Sequence, residues 1–316
     1  MKRWLWPLFV LALCGSCLMG ATAINPLDMT PVEQDILLTL RVPRVLFGAV
    51  IGAMLGLSGS VYQLTLKNPL ADSFTTGAAS SAALGAILAI SLGAPAALVP
   101  VFALATGLSG LIMVYRLSLT GGFINPVTMI LAGIVMNIVA SAVISFSKYY
   151  FEESISSIVF WLMGGFFMVG WSRLLVCSAV FGIVFIIFQR RALELNLLAL
   201  DEYSAQTLGV DVHRLRSLAF VAATLLVAIA VSYTGIIGFV GLIVPHIARS
   251  LFGSDMRTNM LYSSLLGAML LVVADAVARV IIPGGAELPV GIITALLGGM
   301  FFLYLLQTRR ERFWHG

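Results

Sequence analysis

Charge is what this sequence has least of. Of its 316 residues only 10% are Asp, Glu, Lys or Arg, against roughly 25% in a soluble domain. That deficit excludes a soluble globular protein. A G-x-x-x-x-G-K-[ST] phosphate loop is also missing, so any energy drawn from ATP has to arrive through a partner. The three cysteines, Cys14, Cys17 and Cys177, all lie in apolar stretches. Cys14 and Cys17 have the C-x-x-C spacing of redox motifs, but without a βαβ context they read as small packing residues. Acidic groups inside apolar runs are scarcer still. Only Asp275 sits clearly within one, with Arg279 one helical turn on and in reach for a structural ion pair. An ion-coupled secondary transporter places a carboxylate or a broken-helix ion site near the midplane, and Asp275 alone serves that rival reading.

Apolar residues fill the space that charge leaves. They make up 60% of the chain, and mean hydropathy is +1.05. A spanning helix uses about 20 of them. Apolar runs bounded by charge, Gly and Pro fall near residues 4–24, 43–64, 74–92, 94–115, 126–147, 172–189, 216–233, 236–252, 259–281 and 288–307. The expected fold is therefore an all-α polytopic membrane protein, one domain over 1–316 with ten transmembrane helices. Residues 158–169 are too few to cross and contain Gly164-Gly165, which suggests a re-entrant or interfacial helix. The run from Ser217 to Leu251 is divided at Tyr233-Thr234-Gly235.

Basic residues set orientation in such a chain. Lys2 and Arg3 precede the first run and Arg309, Arg310 and Arg312 follow the last, so both termini are expected in the cytoplasm and the span count should be even. Ten spans put 13 of the 18 Lys and Arg inside. The net charge of +4 then reflects topology and membrane lipid rather than nucleic acid. Ala21-Thr22-Ala23 resembles a signal cleavage site, but the first run is read as a retained span.

Small residues recur every fourth position at Gly48, Gly52 and Gly56, at Gly77, Ser81 and Gly85, and at Gly291, Ala295 and Gly299. Such faces let helix backbones approach closely in lipid. Two connections stand out. A cytoplasmic segment, Arg190 to Arg216, mixes charge with apolar residues and meets Gly209 at a plausible helix end; it is either a connector or a docking helix. An external loop, Asn25 to Arg44, ends in Arg41-Val42-Pro43-Arg44. Two arginines on the side that normally lacks them either snorkel to headgroups or receive acidic groups of an external partner.

With these residues in view, the chain resembles the FecCD-type membrane permeases of ATP-binding-cassette importers for iron-siderophore complexes, haem and cobalamin. The matching segments are Arg41-Val42-Pro43-Arg44, Gly56-Leu57-Ser58-Gly59, Asn68-Pro69-Leu70-Ala71-Asp72, Leu131-Ala132-Gly133, Trp161-Leu162-Met163-Gly164, Leu195 to Gly209, Gly238 to His246 and Glu287-Leu288-Pro289-Val290-Gly291. Their order and spacing across nearly the whole chain carry the resemblance. It implies a cobalamin-permease-like fold of two inverted four-helix units, about 43–147 and 216–307, and a homodimer. The implied partners are two cytoplasmic ATPase subunits, which hold the ATP and Mg, and an external substrate-binding protein.

The same resemblance makes residues 190–216 the coupling loop, with Asp201, Glu202, Ala205, Leu208 and Gly209 at the ATPase contact. It gives Arg41, Arg44 and Arg279 to binding-protein docking, and Asn68 and Leu70 to the cytoplasmic gate. A second gate is implied at the start of the fifth span, where Pro126-Val127-Thr128 matches too poorly to carry residues over. His246, in a Pro-His pair shared across cargoes, is read as structural. The expectation is a non-enzymatic permease that binds no cofactor or metal itself and sits in a bacterial or archaeal cytoplasmic membrane. Its expected cargo is an iron(III)-siderophore, with cobalamin or haem as alternatives.

Overall fold

A backbone in hydrocarbon must satisfy its own N–H and C=O groups, so uncharged apolar runs of this length fold as helices. The computed structural model describes residues 2–20, 28–120, 123–166, 169–282 and 285–308. The possible cleavage site at Ala21-Thr22-Ala23 and the basic tail with Arg309, Arg310 and Arg312 lie outside them. The helices are α1 (Lys2–Leu18), α2 (Pro31–Ile36), α3 (Val42–Thr65), α4 (Ala78–Ser91), α5 (Val99–Leu117), α6 (Pro126–Tyr150), α7 (Ile155–Leu162), α8 (Trp171–Arg190), α9 (Ala192–Leu200), α10 (Glu202–Thr207), α11 (Val212–Thr234), α12 (Val240–Phe252), α13 (Met256–Val280) and α14 (Val290–Thr308). The one strand pairing among the described residues is a hairpin of β1 (Leu119–Thr120) and β2 (Phe123–Ile124).

Among the described residues, six helices are long and apolar enough to cross a membrane: Pro31–Thr65, Val99–Leu117, Pro126–Tyr150, Trp171–Arg190, Val212–Thr234 and Met256–Val280. The other four expected spans fall on shorter apolar helices, Trp4–Leu18, Ala78–Ser91, Val240–Phe252 and Val290–Leu305. Two expectations need correction. The external loop is helical from Pro31 onward, because Thr30 and Glu33 form a capping box and Pro31 opens the first turn. This helix runs into α3 through a π-helical turn, Leu37–Arg41. Residues 190–216, read from the sequence as holding a short helix that ends near Gly209, hold two helices, α9 and α10, and α11 starts at Val212 rather than near 216.

Helix α3 is the centre of the bundle, and α13 lies along it. Backbone touches backbone where Gly52 meets Gly267 and Gly56 meets Ser263, leaving no room for a methyl group at either glycine. The second small-residue stripe also packs, with Gly77 against Gly133, Ser81 against Gly110 and Gly85 against Phe102 and Thr106. Only Gly291 of the third is closed, by the Met163 carbonyl, while Ala295 is exposed and Gly299 has open space beside it.

Two short helices follow irregular segments. The α4 N-cap is Gly77 at φ +74° and the α12 N-cap is Phe239 at φ +67°, both left-handed. Pro245 interrupts α12 and has no N–H to give the Gly241 carbonyl. The Gln63 amide supplies the missing donor, 3.4 Å from Gly241 O and 3.2 Å from Leu242 O, while its oxygen accepts from Arg249.

Candidate functional site

Two charge clusters form at opposite ends of the antiparallel α3 and α13. The first begins at the C-terminus of α1, whose last carbonyls have no intrahelical partner. Arg279 donates to Ser16 O at 2.9 Å, Ser16 Oγ at 2.8 Å and Met19 O at 2.7 Å. Arg41 donates to Leu18 O at 3.0 Å. Both guanidinium groups are buried and stand at the negative end of the α1 dipole. Arg41 therefore turns inward rather than snorkelling.

Asp275 lies beneath. The sequence-read pair with Arg279 forms, Nε to Oδ2 at 3.0 Å, and the other carboxylate oxygen, Oδ1, takes Arg44 at 2.9 Å. Arg44 also reaches Glu287, Nη1 to Oε2 at 2.7 Å, with side-chain exposures of 19% and 41%. Arg41, Arg44 and Arg279 thus gather in one place, and Arg44 is the one turned toward solvent. Glu287 belonged to the matched Glu-Leu-Pro-Val-Gly segment, but nothing in the sequence tied it to Arg44.

The second cluster is built on the predicted coupling segment. Asp201 breaks the chain between α9 and α10 and caps α10, its Oδ2 accepting from Ser204 N at 2.9 Å. That bond holds the Asp201 carboxyl below its ordinary range. Ala205 is buried, Leu208 is exposed, and Gly209 closes the helix at φ +84°. Leu208 and Gly209 line a cavity of about 560 Å3 between α9 and α11, together with Arg191, Leu197 and Arg214. Asn196 fixes α9 to the start of α13 by donating to Asp255 Oδ1 and accepting from Met256 N, each at 2.8 Å.

Glu202 points inward from α10. Its Oε1 receives Arg216 Nη2 at 2.7 Å and Lys67 Nζ at 2.8 Å. The Arg216 hydrogen bond, then Lys67, hold the Glu202 carboxyl below its ordinary range. Arg216 is buried and donates through its other terminal nitrogen to Ile124 O at 3.2 Å. Asn68 follows Lys67 directly and closes a turn by accepting from Leu70 N at 2.9 Å, leaving Leu70 exposed. At the poorly matched start of the fifth span, Asn125 caps α6 by accepting from Val127 N at 2.9 Å and Thr128 N at 3.3 Å. The sequence reading missed the roles of Lys67 and Arg216. His246 packs edge-on against Phe301, ring centroids 5.8 Å apart.

A bundle of apolar helices with charge gathered at its two ends fits an integral membrane protein, and its relatives define the class as an ABC-importer permease of the cell membrane. The profile of the FecCD transport family matches residues 8–308, and the chain belongs to that family. It is 37% identical to the cobalamin import system permease protein of Halobacterium salinarum over 97% of this chain and 80% of that one. It is 34% identical to the hemin transport system permease protein of Yersinia pestis over 96% and 94%. Two further relatives each match 87% of this chain: an iron chelatin permease of Helicobacter pylori at 35% identity over 83% of its length, and the molybdate permease of Haemophilus influenzae at 36% over 82%. A solved structure titled as an inward-facing conformation of a metal-chelate type ABC transporter superposes with a TM-score of 0.89 at 34% identity, covering 98% of this chain and all of that one. These relatives are transport subunits of importers.

Proposed function

We propose that this chain is the pathway-forming subunit of a binding-protein-dependent importer whose cargo is an iron(III)-siderophore. The observation that carries the reading is the division of charge between the two ends. One end presents Arg44, seated on buried Arg41 and Arg279 and balanced by Asp275 and the exposed Glu287. The other presents the capped helix α10 with exposed Tyr203 and Leu208. In this reading the first end is external and receives acidic groups of the binding protein on Arg44, with Arg41 and Arg279 stiffening its seat. The second is cytoplasmic and inserts Asp201 to Gly209 into a groove of an ATPase subunit. Both termini are then cytoplasmic, Asn68 and Leu70 narrow the inner end of the pathway, and two copies of the chain pair with two ATPase subunits.

The two four-helix units are α3–α6 and α11–α14. Their second members are short, 14 and 13 residues, and each follows a left-handed N-cap. Interrupted helices at corresponding positions are what an inverted pair leads one to expect. The likeness to a metal-chelate transporter and to an iron chelatin permease supports the siderophore. The 37% identity to a cobalamin permease favours a second cargo, cobalamin.

The test is uptake into liposomes holding this chain, with ATPase and binding-protein partners added or omitted, comparing a radio-iron(III) hydroxamate siderophore, cyanocobalamin and haemin. Uptake that needs all components and ATP is expected, with the siderophore preferred. Uptake by the chain alone under an ion gradient sinks the importer reading and turns attention to Asp275.

A further inference from the structure

Three segments that the fold keeps apart in sequence meet at one carboxylate oxygen. Glu202 belongs to α10, the helix assigned above to the ATPase contact. Lys67, two residues past the end of α3, has a left-handed conformation, φ +49°, rare for a residue with a side chain. The residue after it is Asn68, where the inner gate begins. Arg216, one turn into α11, carries the link further to the Ile124 carbonyl on β2, two residues before α6 opens at Pro126.

We infer that Arg216, with Glu202, is the positioning residue that delivers movement of the coupling helix to both segments at the inner end of the pathway, residues 67–70 and 124–128. The inference rests on the coupling and gate readings of the proposed function. Geometry carries it. The guanidinium is a rigid plane whose two terminal nitrogens reach different acceptors at once, Glu202 Oε1 at 2.7 Å and Ile124 O at 3.2 Å. The Arg216 side chain is only 5% exposed, so a guanidinium N–H that loses its acceptor has little access to water. Glu202 spends the same oxygen on Arg216 and on Lys67, so a shift of α10 has to move or break both contacts. Arg216 does not touch the ATPase in this reading, because it lies beneath α10. It acts through Glu202.

The conservative variant decides the matter. Lysine keeps the charge but is a point donor that cannot span both acceptors with a planar fork. In the reconstituted importer, with whichever of the three probe cargoes the parent chain transports, R216K is expected to lower cargo moved per ATP hydrolysed at least tenfold while the ATPase subunits still co-purify. E202D, one methylene shorter, is expected to do the same. K67Q cuts only the arm to residues 67–70 at a half-exposed side chain and should lower the ratio about threefold.

A second measurement needs no partner. In the full chain in lipid nanodiscs, R216K should speed amide hydrogen exchange at both 67–72 and 124–128, leaving α13 unchanged. Transport per ATP within twofold of the parent in both R216K and E202D overturns the inference, as does unchanged exchange at both segments. Failure of the underlying reading looks different: if L208D leaves ATPase co-purification intact, α10 is not the coupling helix.

Discussion

At the Asp275 end, Arg44 and Arg279 take separate oxygens of one buried carboxylate, and Arg279 with Arg41 caps the carbonyls of a third helix, α1. At the Glu202 end, two cations share one oxygen of a partly exposed carboxylate on a six-residue helix. Both sites are arginine–carboxylate clusters near opposite ends of α3, yet the elements they join differ. The first ties α1, α3 and α13 together around a carboxylate and a guanidinium, Asp275 and Arg279, that are both buried. The second joins the turn after α3, the β1–β2 hairpin and the short helix α10 to the start of α11. Shared and half-exposed contacts suit parts that move, and separate buried contacts suit parts that must not.

The largest expected effect tests the lock. D275A leaves Arg44 and Arg279 facing each other without their common partner, and breaking such a buried pair costs about 3–5 kcal/mol. For a chain of this size the thermal midpoint in detergent should fall by about 5–10 °C. A smaller effect separates the two ends by pH. The Glu202 carboxyl is held below its ordinary value of 4.5 in the folded chain, so its contribution is present above that value and disappears as pH falls through the lowered one. Asp201 acts with the same sign. Protection of residues 202–217 against hydrogen exchange, corrected for intrinsic rates, should be flat from pH 8 to 5 and drop below about 4.5. E202Q should remove its share of that drop.

Salt gives a weaker contrast. Raising ionic strength from 0.1 to 1 M shortens the screening length from about 10 to 3 Å, and the half-exposed Lys67–Glu202 pair should lose about twofold in protection at 66–70, while the end of α1 does not change. The smallest effect is within the first cluster. E287Q removes an exposed partner of the same Arg44, a contact worth about 0–1 kcal/mol, and should leave the midpoint within about 2 °C of the parent chain. If E287Q were as damaging as D275A, the distinction between buried lock and exposed contact would fall.

Local pairs were legible in the sequence and distant ones were not. Asp275 and Arg279 stand four apart on one helix, so their contact follows from helical spacing, whereas Arg44 comes from 231 residues away. The resemblance likewise assigned Arg41 a place but gave no sign that its charge caps α1. The helical start at Pro31 is marked in the sequence itself, since Thr30-Pro31-Val32-Glu33 is a capping box with proline in first position. The Asp201 break is a comparable signal, an N-cap aspartate between two helical runs. Arg216 offered only its positive charge near a membrane boundary, which topology alone explains. Its two acceptors come from segments that only the folded bundle brings together.

The long separation between Arg44 and Asp275 also governs how the protein is made. Translation at about 5–20 residues per second leaves Arg44 waiting roughly 12–46 s, at that pace, before its carboxylate partner has been synthesised. During that interval Arg41 and Arg44 have neither Asp275 nor Glu287 beside them. The early helices are thus inserted as an incomplete assembly, with Arg41 on the α1 carbonyls before α13 brings Arg279 to Ser16 and Met19.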